Sequence, residues 1–234
     1  MDDLFADRSI GNDSVSGRTL SRADIEALLT TNTRHLVDCD LEEADLSGLD
    51  LSRWTLERCN VRRTDFTGAK LAATLWQSCR GPFATFVGAD LTEARFVSCD
   101  LNNSSLRGAR LSATLFDRSK LTGADLSDAK AFDIAFEETL LIDAKLPSYA
   151  FRKQVLKRID FSQADLRKCD FRDTIFEGCS LRDAHVTDAR FDGADLRGAD
   201  LGGLRLVDAR RFRGATISRE QAGQLLGELG LKVR

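Results

Sequence analysis

Thiols are the side chains of this sequence whose types and spacing first suggest chemistry. Among the six cysteines, Cys39, Cys59, Cys79 and Cys99 recur at every twentieth position, which would set four thiols in a row if the chain coiled with that period. A zinc site needs a tetrahedral cluster of ligands and not a row. We therefore expect the cysteines to act as small apolar filler, and we predict no metal and no cofactor.

Catalysis requires groups that converge on one substrate. The only histidines, His35 and His185, lie far apart in sequence, and coiling with the same period would put them on opposite faces. The glycines of GADLRGADLGG (193–203) fall at turn positions and do not form a phosphate loop, and the aspartates recur regularly, as a structural column does. The sequence therefore predicts no catalytic residue and no enzyme.

The elements that must position these side chains come from a pentapeptide period. From Leu36 to Leu206, every fifth residue is large and apolar, with Gly81 and Ala131 as exceptions. The residue two positions before is usually small, and the residue just before is often aspartate. Self-similarity at a fixed period indicates a repeat architecture and outweighs local propensity.

This period resembles the pattern of the pentapeptide repeat family, A(D/N)LXX. Matching stretches are ADLSG (44–48), ADLTE (89–93), ADLSD (124–128) and ADLRGADLGG (194–203). The resemblance implies an all-β repeat fold, a right-handed quadrilateral β-helix of about nine coils, with short capping helices at the two ends. Four pentapeptides would form each coil, with the large residue and the small residue pointing inward.

Stacking the sequence in rows of four pentapeptides supports this fold, because similar side chains fall into columns. Five of the six cysteines share one column, and both prolines, Pro82 and Pro147, come just after the central position of a pentapeptide, at a corner, where no ladder hydrogen bond is needed. Two aromatic columns are expected on consecutive coils: Trp76, Phe96, Phe116 and Phe136, and then Phe151, Phe171 and Phe191.

Departures from the pattern predict local irregularities. Gly81 and Ala131 leave two coils without a large inward side chain, so we expect distortion there, with Phe83 or Phe132 turning in. Segment 147–159 is expected to form a widened or bulged coil. In that segment three residues stand where small ones are expected: Tyr149, Gln154 and Ile159.

The sequence divides into three segments. Residues 1–33 are predicted to form a flexible arm and an N-terminal capping helix, which Ser21 and Asp24 would begin as a capping box. Residues 34–213 would form the β-helix, and residues 214–234 a C-terminal helix for capping or dimerisation, begun by Ser218 and Gln221.

The C-terminal segment resembles that of the Qnr-type fluoroquinolone-resistance members of the family. In those proteins the helix caps the last coil and packs two rods end to end. The residues that would serve in dimerisation are Leu225, Leu226 and Leu229. A helix that only caps its own last coil is the alternative, because its apolar stripe is small enough to be covered there.

Two kinds of outward column are candidates for binding a partner. One kind is acidic and lies on two adjacent faces: Asp40, Asp100, Asp160 and Asp200 on one, and Asp45, Asp65, Asp125 and Asp165 on the next. The other is apolar and would be a partner-binding or dimer surface if long neighbouring side chains do not cover it. Its members are Leu75, Leu115, Val155 and Ile175.

Composition and resemblance together define the functional hypotheses. The net charge of −3 is too balanced to indicate direct nucleic-acid binding. Without an export signal or an apolar stretch of membrane length, a cytoplasmic protein is expected. The resemblance implies a DNA-mimicking binder that protects DNA gyrase and topoisomerase IV from antibiotics. A general protein-interaction scaffold, or a secreted effector addressed by residues 1–20, is the alternative.

Overall fold

The computed structural model describes residues 14–204, 209–228 and 230–232. Ten short strands form one parallel sheet in sequence order, β1 to β10. The elements in chain order are β1 Ser14–Ser16, α1 Arg22–Leu29, β2 His35–Val37, β3 Thr55–Glu57, β4 Leu75–Gln77, β5 Arg95–Val97, β6 Leu115–Asp117, β7 Ala135–Glu137, β8 Val155–Lys157, β9 Ile175–Ser180, β10 Asp195–Asp200, a 3₁₀ turn Ala209–Phe212 and α2 Arg219–Glu228.

Residues at every twentieth position lie side by side along the whole sheet. Thr55 pairs with Leu75 on the strand face, and bridges such as Asp45–Asp65 and Asp50–Lys70 repeat this offset on other faces. Each coil therefore consists of four pentapeptides and has four faces. The predicted fold, a right-handed quadrilateral β-helix of about nine coils with a capping helix near each end, is confirmed.

The large and small residues of each pentapeptide fill the tube. Both predicted aromatic columns form: Phe116 lies 4.9 Å from Phe96 and 5.5 Å from Phe136 between ring centroids, and Phe171 stacks at 5.0 Å on Phe151. Several small residues with a hydroxyl donate to a carbonyl of the preceding coil, as Thr114 does to Leu91 at 2.8 Å, although the Thr74 hydroxyl bonds to Leu71 of its own coil and the buried Ser104 hydroxyl has no partner among the described residues. These bonds satisfy polar groups that would otherwise be buried without a partner.

The two ends of the tube are covered by residues outside the regular frame. Strand β1 already pairs with β2, ahead of segment 34–213, and Arg22 of α1 donates to the carbonyl of Ser47 at 3.1 Å. At the other end, the Gln221 amide donates to the carbonyls of Leu196 and Ala199, both at 2.7 Å. The helices therefore supply packing and hydrogen-bond donors that a further coil would otherwise provide.

The backbone distortion expected at Gly81 is absent from the described coils. The expectation that the side chain of Phe83 or Phe132 turns into the tube is wrong. The backbone at Gly81 keeps the regular bond from its N–H to the Asp100 carbonyl at 2.7 Å. Phe83 is 51% exposed and Phe132 is 81% exposed. Both residues stand at corners, after the large position, where the backbone directs side chains outward.

The coils do part at one place, within the segment for which the sequence predicts irregularity. Strands β7 and β8 share a single residue pair, Glu137–Lys157, and within the described residues the backbone bonds between 128–135 and 147–155 are missing. We call this opening, bounded by 128–135 and 147–155, the slit.

Candidate binding surface

The six thiols lie inside the tube and not on its surface. All are free and buried, and Cys79 donates to the Leu56 carbonyl at 3.3 Å, as a threonine does at the same position. Burial raises the pKa of Cys169 to about 12 and also raises the pKa of Cys39 and Cys179. Within the described residues, no group of three or more His, Cys, Asp or Glu side chains could hold a metal ion. These thiols therefore serve as core filler.

Because thiolate is the reactive species, we expect thiol labelling to depend on unfolding. In native protein the six cysteines should react with a disulfide reagent at least about 100-fold more slowly than in concentrated guanidinium chloride. Absorbance of the released thiolate measures both rates. Rapid labelling of several cysteines in native protein would contradict the burial described here.

The predicted acidic columns brace the corners of the coils. All eight carboxylates accept a hydrogen bond from the backbone N–H two residues later, at 2.8–3.2 Å. This is the turn-forming contact that aspartate makes readily. The columns therefore have a structural role, which their regular spacing already indicated.

Half of these eight carboxylates are also paired with a cation. Ion pairs join Asp45 to Arg22, Asp125 to Lys145, Asp165 to Arg167 and Asp200 to Arg182. The remaining four have no Lys or Arg within ion-pair distance among the described residues. They are Asp40, Asp65, Asp100 and Asp160.

These contacts make the fold sensitive to acid. Hydrogen bonds from Arg167 and Arg172 lower the pKa of Asp165 and Asp170, and those from Arg197 do so for Asp195. A carboxyl group whose pKa is lowered in the folded protein binds protons more weakly there than in the unfolded chain. Its contribution to stability is therefore present above the unfolded pKa and is lost as the pH falls from that value through the folded pKa.

We therefore expect the melting temperature to change little between about pH 7 and 5 and then to fall as the pH approaches about 3. Thermal melts followed by circular dichroism test this. A melting temperature that stays constant down to the acid end would show that the carboxylates do not brace the coils.

The apolar column is covered at one end and open at the other. Leu75 and Leu115 are half-buried, whereas Val155 is 46% exposed and Ile175 is 41% exposed. Val155 and Ile175 are direct neighbours on β8 and β9. The structure therefore leaves one adjacent apolar pair, rather than a full column, open to solvent.

The C-terminal residues predicted for dimerisation have different surroundings. Leu225 is buried against the last coil, Leu226 is 39% exposed, and Leu229 lies outside the described residues. The capping box forms as predicted, with Ser218 and Gln221 exchanging bonds of 2.7 and 3.1 Å. Leu225 therefore belongs to the contact that caps the last coil, whereas Leu226 is open to solvent.

Sequence reasoning missed two sets of residues. Oppositely charged side chains at equivalent positions of adjacent coils form a ladder along the surface, as in Arg58–Asp38 at 2.7 Å and Arg63–Glu43 at 3.2 Å. Comparing charges one coil apart would have found them. The second set is the Gln221 amide with the carbonyls of Leu196 and Ala199. The sequence singled out Gln221 only as part of a capping box, which does not predict these contacts.

The comparisons with known proteins agree with this architecture. A family model described as pentapeptide repeats (9 copies) matches residues 151–210, and another, pentapeptide repeats (8 copies), matches 35–71, 83–108 and 94–130. No curated protein sequence matches the chain.

Two solved structures share the fold. Full-length QnrB1, a plasmid-mediated fluoroquinolone resistance protein, superposes with a TM-score of 0.67 at 21% identity, over 93% of this chain and 100% of that one. HetL from the cyanobacterium Nostoc sp., a protein involved in heterocyst differentiation regulation, gives 0.57 at 20% identity, over 84% and 94%. At these identities the likeness concerns the fold alone.

Proposed function

This chain belongs to the pentapeptide repeat family, and we propose that it functions without catalysis, as a rigid rod that binds another protein along its outer faces. The observation that supports this most is the division of the chain into a packed interior and regular outward columns. The large inward side chains of the described coils are exposed by a few per cent at most, except for the partly buried Val186. The outward columns, whose spacing the backbone ladder fixes, therefore offer the main surface for recognition.

We propose a type II topoisomerase, DNA gyrase or topoisomerase IV, as the partner. Support comes from the shared fold with QnrB1 and from the carboxylates that no cation neutralises. Asp40, Asp100 and Asp160 lie in one column at steps of three coils, about 14 Å. They would present negative charge in place of DNA phosphates, and the protein would act in the cytoplasm and shield the enzyme from antibiotics.

A supercoiling assay with purified gyrase and a fluoroquinolone tests this partner. The rod should restore supercoiling at equimolar concentration, and the double variant Asp100→Asn, Asp160→Asn should not, because it removes charge while keeping the oxygens that accept the backbone bonds. Asp165→Asn is the matched control, since Arg167 already neutralises that carboxylate. Unchanged inhibition with wild-type protein at stoichiometric amounts would reject gyrase as the partner.

The second candidate is a general interaction scaffold, which the exposed pair Val155 and Ile175 favours. The variant Val155→Glu, Ile175→Glu should lose partners that wild-type protein captures from the native host. Val87→Glu, equally apolar and 36% exposed on another face, should retain them. An identical set of captured partners for all three proteins would remove the apolar pair from consideration.

We also propose that two rods associate through α2, with Leu226 in the contact. Light scattering on a size-exclusion column should give twice the chain mass of 25.9 kDa for wild-type protein, and the chain mass for Leu226→Glu. A monomer at all concentrations would leave α2 with its capping role alone.

Within the described residues, no helix has the length and apolar character that crossing a membrane requires.

A further inference from the structure

The slit removes backbone pairing from one stretch of the tube wall. In the preceding coil, the N–H groups of Leu111 and Ala113 donate to the carbonyls of Lys130 and Phe132, both at 2.9 Å. The equivalent bonds from Ala131 and Asp133 to the next coil are missing, as are those that Asp128, Ala150 and Val155 would make. Both edges of the slit therefore carry donors and acceptors without a partner in the ladder.

Tyr149 explains why the coils part here. It occupies the small inward position, and its hydroxyl donates to the Leu126 carbonyl of the preceding coil at 3.1 Å. Threonine and cysteine make the same contact elsewhere with a much shorter side chain, as Cys169 does to Leu146. The tyrosine ring makes this contact over a longer reach, so the coils cannot close on each other around it.

The opening is a cleft of about 510 Å³ whose lining combines alanines with polar and charged side chains, and this volume lies within the roughly 300–1,000 Å³ of ligand pockets. Ala129 and Ala131 line it and are half-buried, whereas Ala109 and Leu111, their equivalents one coil earlier, are fully buried. Beside it, Phe132 is 81% exposed. Core positions and a large aromatic ring are thus accessible at one place on the rod.

The rim of the slit carries excess positive charge. Lys130, Lys153 and Lys168 lie on it or directly beneath it, and none has a carboxylate within ion-pair distance among the described residues, whereas Asp128 is paired with Arg107. Among the described residues, Asp133 is the one carboxylate on the rim that has no Lys or Arg within ion-pair distance. The unneutralised charge of the rim is therefore positive, which favours an acidic ligand.

From this juxtaposition we propose that the slit binds an extended, acidic segment of a partner protein. The segment would lie along the coil edges and form backbone bonds with the unpaired groups, as a peptide does when it adds to a sheet edge. Alternate side chains would reach the alanine floor and Phe132, and acidic side chains would meet the three lysines. This inference deepens the proposed protein-binding function and rests on it.

The peptide Glu-Val-Glu-Val-Glu-amide, with fluorescein attached to its N-terminal amine, serves as the probe for the full chain. Fluorescence anisotropy should show saturable binding, and the peptide with lysine in place of glutamate should bind at least 10-fold more weakly. Backbone amide resonances of 128–135 and 147–155 should shift on addition of the acidic peptide. No binding, or shifts confined to other coils, would overturn the proposal.

Charge reversal provides the matched variants. Lys130→Glu and Lys168→Glu should each weaken binding several-fold, and Lys120→Glu, an exposed lysine at another edge of the tube, should not. Equal binding by all four proteins would show that the slit is not the site. The gyrase and capture assays do not depend on this peptide, so the absence of peptide binding would leave the proposed protein-binding function standing. Conversely, a rod that binds the peptide but captures no protein would overturn that function and not the slit as a peptide site.

Discussion

Replacing Phe116 by alanine is expected to lower the free energy of unfolding by about 3–5 kcal/mol, the usual cost of removing a buried phenylalanine side chain. Phe116 is fully buried and stacks on Phe96 and Phe136. The coils are held at a fixed spacing by their backbone ladder, so the neighbouring rings cannot collapse into the cavity. Denaturant unfolding followed by circular dichroism measures the loss, and the fluorescence of Trp76 in the same column reports it locally.

The control for this variant is Phe132→Ala, which removes the same atoms from a side chain that is 81% exposed. Its effect on the free energy of unfolding should stay within about 0.5 kcal/mol. Equal losses for the two variants would mean that the aromatic column does not stabilise the tube.

The second large effect is expected at Gly81, where the repeat pattern calls for a leucine. A Cβ atom at this position would lie 2.7 Å from Cγ2 of Val61 and 3.2 Å from Cδ2 of Leu101. The side chains of the coils above and below already fill the space. Gly81→Leu should therefore destabilise the protein by about 1–3 kcal/mol or more through overpacking, measured as a lower denaturation midpoint.

Ala131→Leu is the matched test, because it restores the same missing leucine at a half-buried position on the slit. There the free energy of unfolding should change by less than about 1 kcal/mol. If Gly81→Leu proved stabilising, the coils at that position would have to be looser than described.

The regular part of the fold could be predicted because every coil repeats the same contacts. A frame from Leu36 to Leu206 without insertions fixes which residues meet between adjacent coils, and the stacking of Phe116 on Phe96 follows from that offset alone. The buried thiols follow as well, since the small position is inside on every face.

The exceptions could not be predicted from the pattern, because they depend on neighbouring coils in three dimensions. Gly81 is accommodated by Val61 and Leu101 rather than by a distortion, which only packing reveals. Tyr149 marks the irregular segment in sequence, but the opening of the wall depends on how its long side chain reaches the Leu126 carbonyl.

The candidate surfaces were predicted only in part, for a related reason. Sequence identifies outward aspartates, but whether a carboxylate is neutralised depends on its neighbours in space. Asp165 is paired with Arg167 two positions later, and Asp45 with Arg22 of the capping helix. Asp100 has no Lys or Arg within ion-pair distance among the described residues, and the proposal of DNA mimicry rests on such carboxylates.

One backbone ladder joins the coils and, within the described residues, opens only at the slit. Amide hydrogen exchange of the free protein tests it residue by residue. The N–H groups of Ala131 and Asp133 should exchange faster, by about two orders of magnitude or more, than those of Leu111 and Ala113 one coil earlier. Equal protection at the four positions would show a closed wall and would contradict both the slit and the binding mode inferred from it.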